Sequence, residues 1–178
     1  MNFLEKNLED IIYEADNNAL NDRGLNIYGK KIRQTKIGNY GVSDLITYKR
    51  IKNQFGGLFL SIQLFELKKD AINMNTFNKA CRYARGIQRF LTGKNIEFNI
   101  DVVLVGNQID MSDSMCYLTN LIPCNSPEMP SDAISSIQFY TYKYDFDGIT
   151  FKNRDGFGLT NEGFERTKKQ FKNAFQSI

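Results

Sequence analysis

An α/β (α+β) domain, with a mixed central sheet flanked by helices, is the fold class this sequence predicts, and three observations carry it. Leu4, Leu8, Ile11, Ile12 and Ala15 recur at helical spacing near the start, the stripe of an amphipathic helix. Residues 30–69 then offer three β-rich runs separated by glycine-containing turns. A basic helical stretch follows, and after it the nearly unbroken apolar run FNIDVVLVG, the pattern of a strand covered on both faces. Strand, helix and strand in that order make a crossover, which requires a parallel pair.

The elements follow in chain order. The first helix carries Glu5 and Glu9 one turn apart beside its apolar stripe and should end in DNNALNDRG, where Asn, Asp and Gly cluster. KKIRQTKI alternates as a first strand, GNYG turns it into VSDLITYKRI, and NQFGG closes a hairpin onto LFLSIQLFELKK, giving three antiparallel strands. Residues 75–92, NTFNKACRYARGIQRFLT, read as a helix with Phe77, Ala80, Ala84, Ile87 and Leu91 on its apolar side and Arg82, Arg85 and Arg89 at spacings of three and four. FNIDVVLVG, ending at Gly106, supplies the central strand. MCYLTNLI and SIQFYTYKYDF add strands on either side of the loop PCNSPEMPSD, and FKNRDGFG breaks the pattern again. A last helix is expected from about Thr160, anchored on Phe164, Phe171 and Phe175. Its acids, Glu162 and Glu165, come early and Lys168, Lys169 and Lys172 come late, in accord with the helix dipole. Without repeats or linkers, residues 1–178 read as a single domain.

Composition narrows the chemistry. The 178 residues are 42% hydrophobic and 24% charged, ordinary for a globular chain with a sizeable core. A net charge of +3 permits a polyanionic partner without demanding one. Cys81, Cys116 and Cys124 are odd in number and form no CxxC, so a zinc ribbon or a disulfide framework is not expected and a reducing cytoplasm is. MNFLEKNLED contains acids and no long apolar run, so neither a signal peptide nor a membrane span is expected. No histidine occurs anywhere. That removes histidine–metal sites and histidine general bases, leaving carboxylates, lysines, tyrosines or a hard cation.

The informative constellation lies on the hairpin. Asp44 sits in the second strand, Glu66 and Lys68 at the end of the third. Residues two apart on a strand share a face, so Glu66 and Lys68 lie on one side, about 7 Å apart along the chain. Pairing of the strands lets Asp44 face Glu66. Two opposed carboxylates on an apolar hairpin repel and cost desolvation, and Lys68 offers one compensating charge. A divalent cation would balance the rest. Mg²⁺ (or Mn²⁺) takes oxygen ligands, commonly one or two carboxylates plus waters and substrate phosphate oxygens. Asp44 and Glu66, with the backbone carbonyl of Leu67, are the candidate ligands. Such a site suits phosphodiester hydrolysis, with Lys68 orienting water or stabilising the oxyanion. Taken singly, such residues more often form a surface ion pair (Glu66 and Lys68) or a turn cap (Asp44); their joint pattern is what points to a site.

The order of elements resembles the PD-(D/E)XK nuclease superfamily, whose fold is restriction-endonuclease-like. IRQTKIGNYGVSDLI followed by QLFELKKD looks especially like the nuclease domain of the NucS group of DNA endonucleases. The resemblance covers residues 3–92 approximately. It implies Asp44 as the motif aspartate, Glu66 as the D/E and Lys68 as the lysine, with Glu5 or Glu9 as the first-helix glutamate. No proline precedes Asp44 (Val42 and Ser43 do), which is common in that superfamily. Related nucleases also carry glutamine and then tyrosine on the following helix; here KACRY, Lys79 to Tyr83, matches that spacing, and Gln88 is the alternative.

The expected activity is therefore that of a Mg²⁺-dependent endodeoxyribonuclease with DNA as partner. Lys79, Arg82, Arg85, Gln88 and Arg89 are the candidate nucleic-acid contacts, although the arginines equally suit a solvated helix face. Tyr140, Tyr142 and Tyr144 alternate at strand spacing and read as a strand face rather than a base-stacking platform. An RNA-directed nuclease and a non-catalytic binding module on the same fold are the alternatives. A homodimer accords with cutting two strands, a monomer with nicking.

Overall fold

A computed structural model of the chain describes residues 5–52, 58–94, 96–110 and 134–154, with 112 and 172. Its elements are α1 (Glu5–Glu14), α2 (Asn17–Asp22), β1 (Lys30–Ile37), β2 (Gly41–Lys52), β3 (Leu58–Leu67), β4 (Ala71–Ile72), α3 (Met74–Thr92), β5 (Glu97–Gly106), β6 (Gln108–Ile109), β7 (Ile134–Asp145) and β8 (Gly148–Asn153). Six strands form one sheet in the order β1-β2-β3-β5-β7-β8, and β4 pairs with β6 in a small second sheet. β1, β2 and β3 are antiparallel neighbours, β3–β5 and β5–β7 are parallel, and β7–β8 is antiparallel. The mixed α/β class with a helix-flanked sheet is as the sequence predicts, and so is the β3–α3–β5 crossover.

Alternation along the strands builds a core on each face. Ile46, Ile62, Leu64, Val102 and Leu104 pack under α3 through Ala80, Tyr83, Ala84 and Leu91. Leu45, Phe65, Leu67, Val103 and Val105 face the other way, beneath Leu8 and Ile12 of α1 and Leu20 of α2. Strand period two and helix period near four thus meet on both sides of the sheet. α3 starts on a capping box: the Asn73 side chain accepts from the Thr76 amide at 3.0 Å, and Thr76 Oγ1 accepts from the Asn73 amide at 3.4 Å.

Several expectations require correction. DNNALNDRG does not simply close the first helix; Asp16 accepts from the Asn18 amide and caps α2, a second short helix. GITFKN is strand β8, with Ile149 and Phe151 buried and Thr150 and Lys152 exposed, so the chain before Arg154 does not break the sheet. The two-residue strands β4 and β6 had no expectation at all. MCYLTNLI, the PCNSPEMPSD loop, Leu4 and all of the last helix except Lys172 lie outside the described residues, as do Cys116 and Cys124. Among the described residues, no helix is long and apolar enough to cross a membrane.

Candidate functional site

The pairs of β2 and β3 run to Leu45↔Phe65, and one step further the register sets Asp44 beside Glu66. Asp44 shares its face with Ile46, and Glu66 shares its face with Ile62 and Leu64, so both acids extend the apolar row under α3. Glu66 is wholly buried, 0% exposed. Its Oε1 receives Lys79 Nζ at 2.6 Å and Lys68 Nζ at 3.2 Å. Its Oε2 is buried and has no hydrogen-bond partner among the described residues. Asp44 Oδ2 accepts the Leu67 amide at 2.8 Å, a donor left over where the ladder stops.

The carboxyl of Glu5 closes the group from the start of α1. Glu5 Oε1 takes Lys68 Nζ at 3.2 Å, and Oε2 takes the Lys69 amide at 3.3 Å. The bend that carries Lys68 is pinned from three sides: the Lys68 amide donates to Val105 at 2.7 Å, the Asn107 amide to Asp70 at 3.0 Å, and the Tyr142 hydroxyl to the Lys69 carbonyl at 2.7 Å. Glu9 does not join. One turn further along α1 it accepts from Gln34 Nε2 at 2.6 Å, next to β1. Gln34 is left out of the β1–β2 pairing with φ +49°, which turns its side chain towards α1. The open choice between the two glutamates therefore falls to Glu5.

The charges do not cancel. Three carboxylates (Glu5, Asp44, Glu66) face two ammonium groups (Lys68, Lys79), leaving one negative charge. Burial pushes the Glu66 carboxyl above its ordinary value, and the nearby Asp44 pushes it further, against the two lysines. Burial likewise raises Asp44, while the Leu67 amide, Lys79 and Lys68 draw it back down. For Lys68, burial disfavours the ammonium form, but Glu66 and Glu5 outweigh that and hold its pKa above the usual lysine value. Lys79 is raised in the same way, chiefly by Glu66. Both lysines are therefore charged donors at neutral pH, not bases.

Among the described residues, no group of three cysteines or carboxylates converges in a way that could hold a metal ion. What this group could offer a cation is smaller: Glu66 Oε2, buried and without a hydrogen-bond partner among the described residues, and the Asp44 carboxylate. Carboxylate oxygens with a surplus of negative charge are hard ligands, of the type that would suit Mg²⁺ or Mn²⁺. They do not fit a soft-metal or all-protein cage.

The other anticipated contacts divide. Lys79, which the sequence left between a glutamine substitute and a phosphate contact, turns inward to Glu66 and lies 5.6 Å from the Tyr83 ring centroid. The KACRY spacing was its signal. Gln88 does not enter the site; it accepts from Arg85 at 3.3 Å on the outer face of α3. Arg82 lies against Tyr83, and Arg89 donates to the Tyr40 hydroxyl at 3.2 Å. Tyr140 and Tyr142 are core residues of β7 and Tyr144 is exposed, the strand face that alternation implied. Tyr142 reaches the site through the Lys69 carbonyl, a long-range contact with no local sequence signal. Cys81 is a free, half-buried thiol whose pKa burial raises, which does not make it a nucleophile.

Comparison with family models, curated proteins and solved structures returns no match, so the reading of this site rests on its own geometry.

Proposed function

We propose that the chain is a divalent-cation-dependent nuclease of restriction-endonuclease-like fold, hydrolysing DNA phosphodiester bonds at the Asp44–Glu66–Lys68 pocket. The observation that carries this reading is Glu66: fully buried, Oε1 held by two lysines, Oε2 unpartnered, and Asp44 beside it. A carboxylate buried half-satisfied costs on the order of 1–3 kcal/mol, which a cation bound at its second oxygen would offset.

Each residue then has a task. Asp44 and Glu66 are the cation ligands. Bound there, a cation supplies Lewis-acid polarisation of the phosphoryl group and an acidified water. Lys79 steadies the Glu66 carboxylate from the α3 side. Lys68 stays protonated and donates to the phosphoryl oxygens as negative charge builds on them, the kind of contact whose loss costs roughly 10²–10³ in rate. Glu5 fixes the Lys68 side chain and so sets where that donor points. The absence of histidine is no obstacle, because Lys68 donates and need not accept a proton. Cysteine usage favours the cytoplasm as the setting.

The test is cleavage of supercoiled plasmid, single-stranded, flapped and branched DNA, and matched RNAs, with Mg²⁺, Mn²⁺ or EDTA. DNA should be cut only with the cation, and Glu66→Gln should lower the rate at least about a hundred-fold. Cutting that survives chelation would overturn the mechanism, and RNA cut in preference to DNA would change the substrate. A binding module without catalysis has one observation in its favour, the Lys79–Glu66 ion pair, which by itself offsets part of the Glu66 charge. It predicts DNA binding with no cleavage under any cation.

A further inference from the structure

Beside the site lies an open cavity of about 580 Å³ between the β1–β2 turn and α3, lined among others by Lys36, Ile37, Tyr40, Ile87, Arg89 and Phe90. That volume falls in the range of ligand pockets, about 300–1,000 Å³. Three features say what would fill it. Its floor is apolar, from residues of the α3-side core. Both charged residues in its lining, Lys36 and Arg89, are cationic. Phe90, at the rim, is 63% exposed, which leaves an aromatic ring accessible beside the two cations.

The cavity also lies in line with the candidate site. Lys79, Tyr83, Gly86 and Phe90 occupy positions i, i+4, i+7 and i+11 of α3, one stripe of the helix. Lys79 reaches Glu66 at one end of that stripe, and Gly86 and Phe90 line the cavity at the other. At 1.5 Å per residue the separation is about 10–16 Å. At the roughly 3.4 Å rise of a stacked strand that distance is at most about five nucleotides, and fewer for an extended single strand.

We propose that this cavity binds an unpaired base of single-stranded DNA, within about five nucleotides of the phosphate held at Asp44 and Glu66, and so sets where the strand is cut. The inference rests on the nuclease reading. The base stacks on Phe90 and Tyr40 against the apolar floor, while Lys36 and Arg89 hold its flanking phosphates. Aromatic stacking plus a cationic groove is how single strands are held without sequence readout. A paired base cannot enter, so the preference is for single-stranded or flapped DNA.

The experiment is an abasic walk. Labelled single-stranded oligonucleotides, each lacking one base at a different position, are titrated in EDTA against wild type and Phe90→Ala, and the same set is cut with Mg²⁺ to map cleavage. Wild type should bind about ten-fold more weakly when the missing base lies at one position within about five nucleotides of the cut. Phe90→Ala should bind the intact strand about ten-fold more weakly and show a flat profile. A flat profile in wild type that still cuts DNA defeats this inference alone; wild type that neither binds nor cuts defeats the nuclease reading with it. A concentration-dependent dimer lost in Phe90→Ala, seen by light scattering, assigns the cavity to a second copy of the chain and also overturns the proposal. Phe90 is exposed, so unchanged melting serves as the control for folding.

Discussion

Glu66 is where opposing terms meet. Desolvation and Asp44 push against its charge while Lys79 and Lys68 support it, and the surplus negative charge falls on Asp44 and Glu66 together. Removing one acid should therefore help the metal-free fold. Asp44→Asn keeps an acceptor for the Leu67 amide and should raise Tm by about 2–4 °C, the shift that about 1 kcal/mol gives a chain of this size, while abolishing cleavage. A fall in Tm would make Asp44 a structural ion-pair member instead. Lys79 should behave oppositely. Lys79→Ala leaves Glu66 with one lysine and should cost about 1–3 kcal/mol in denaturant unfolding, whereas Lys79→Gln keeps a donor and should lose less than half of that. Equal losses would show that the charge, not the hydrogen bond, is what Glu66 needs. Asp44, Glu66 and Lys68 were legible in the sequence because strand period and hairpin register are local rules. Lys79 was only half legible, since its spacing marked it but its direction depends on how α3 lies over β3.

α3 and the β1–β2 turn approach each other through glycine. A Cβ on Gly86 would stand 2.6 Å from Ile37 Cγ2 and 2.7 Å from Tyr40 Cδ2, and one on Gly41 (φ +124°) 2.7 Å from Tyr83 Cε1. Helix propensity alone says that Gly86→Ala stabilises by up to about 1 kcal/mol. Overpacking costs about 1–3 kcal/mol and wins here because Ile37 is buried. Thermal melting should show a Tm a few degrees lower; a higher one would mean that the turn moves freely away from α3. The elements missed in the sequence share a cause. β4 and β6 are two residues long, too short for any period to register. β8 shows its alternation only at Ile149 and Phe151 between a glycine and an asparagine, so its flanks read as turn. α2 hides in a run of Asn and Asp because its signal is a cap, not a stripe. α1, β3, α3 and β5 were legible because each buries at least two turns or four strand residues in one periodic face.

At the scale of the molecule, the sheet separates two cores and the site forms where both reach its edge. Asp44 and Glu66 come from the α3 face and Glu5 from the α1 face, meeting at Lys68. The mixed sheet and the crossover were readable as a pattern of elements; the convergence of α1 on Lys68 was not, because sixty-odd residues of chain separate its members. A pH dependence follows from the same charges. Asp44 and Glu66 both have raised folded-state pKa values, so the stability they contribute is present below their unfolded values and is lost as pH rises through the folded ones. The raised lysines act in the alkaline range and leave this window untouched. In EDTA, the Tm of wild type relative to Asp44→Asn should therefore fall as pH rises from about 4 towards neutrality, which melting across that range would check.

The most direct test of the whole account is calorimetric titration of Mn²⁺ into metal-free wild type and into Asp44→Asn at neutral pH. Wild type should take up the ion with a heat signal that Asp44→Asn lacks while remaining folded. Equal binding by both proteins, or none by wild type, would contradict the claim that this half-satisfied pair of carboxylates is the seat of a divalent cation.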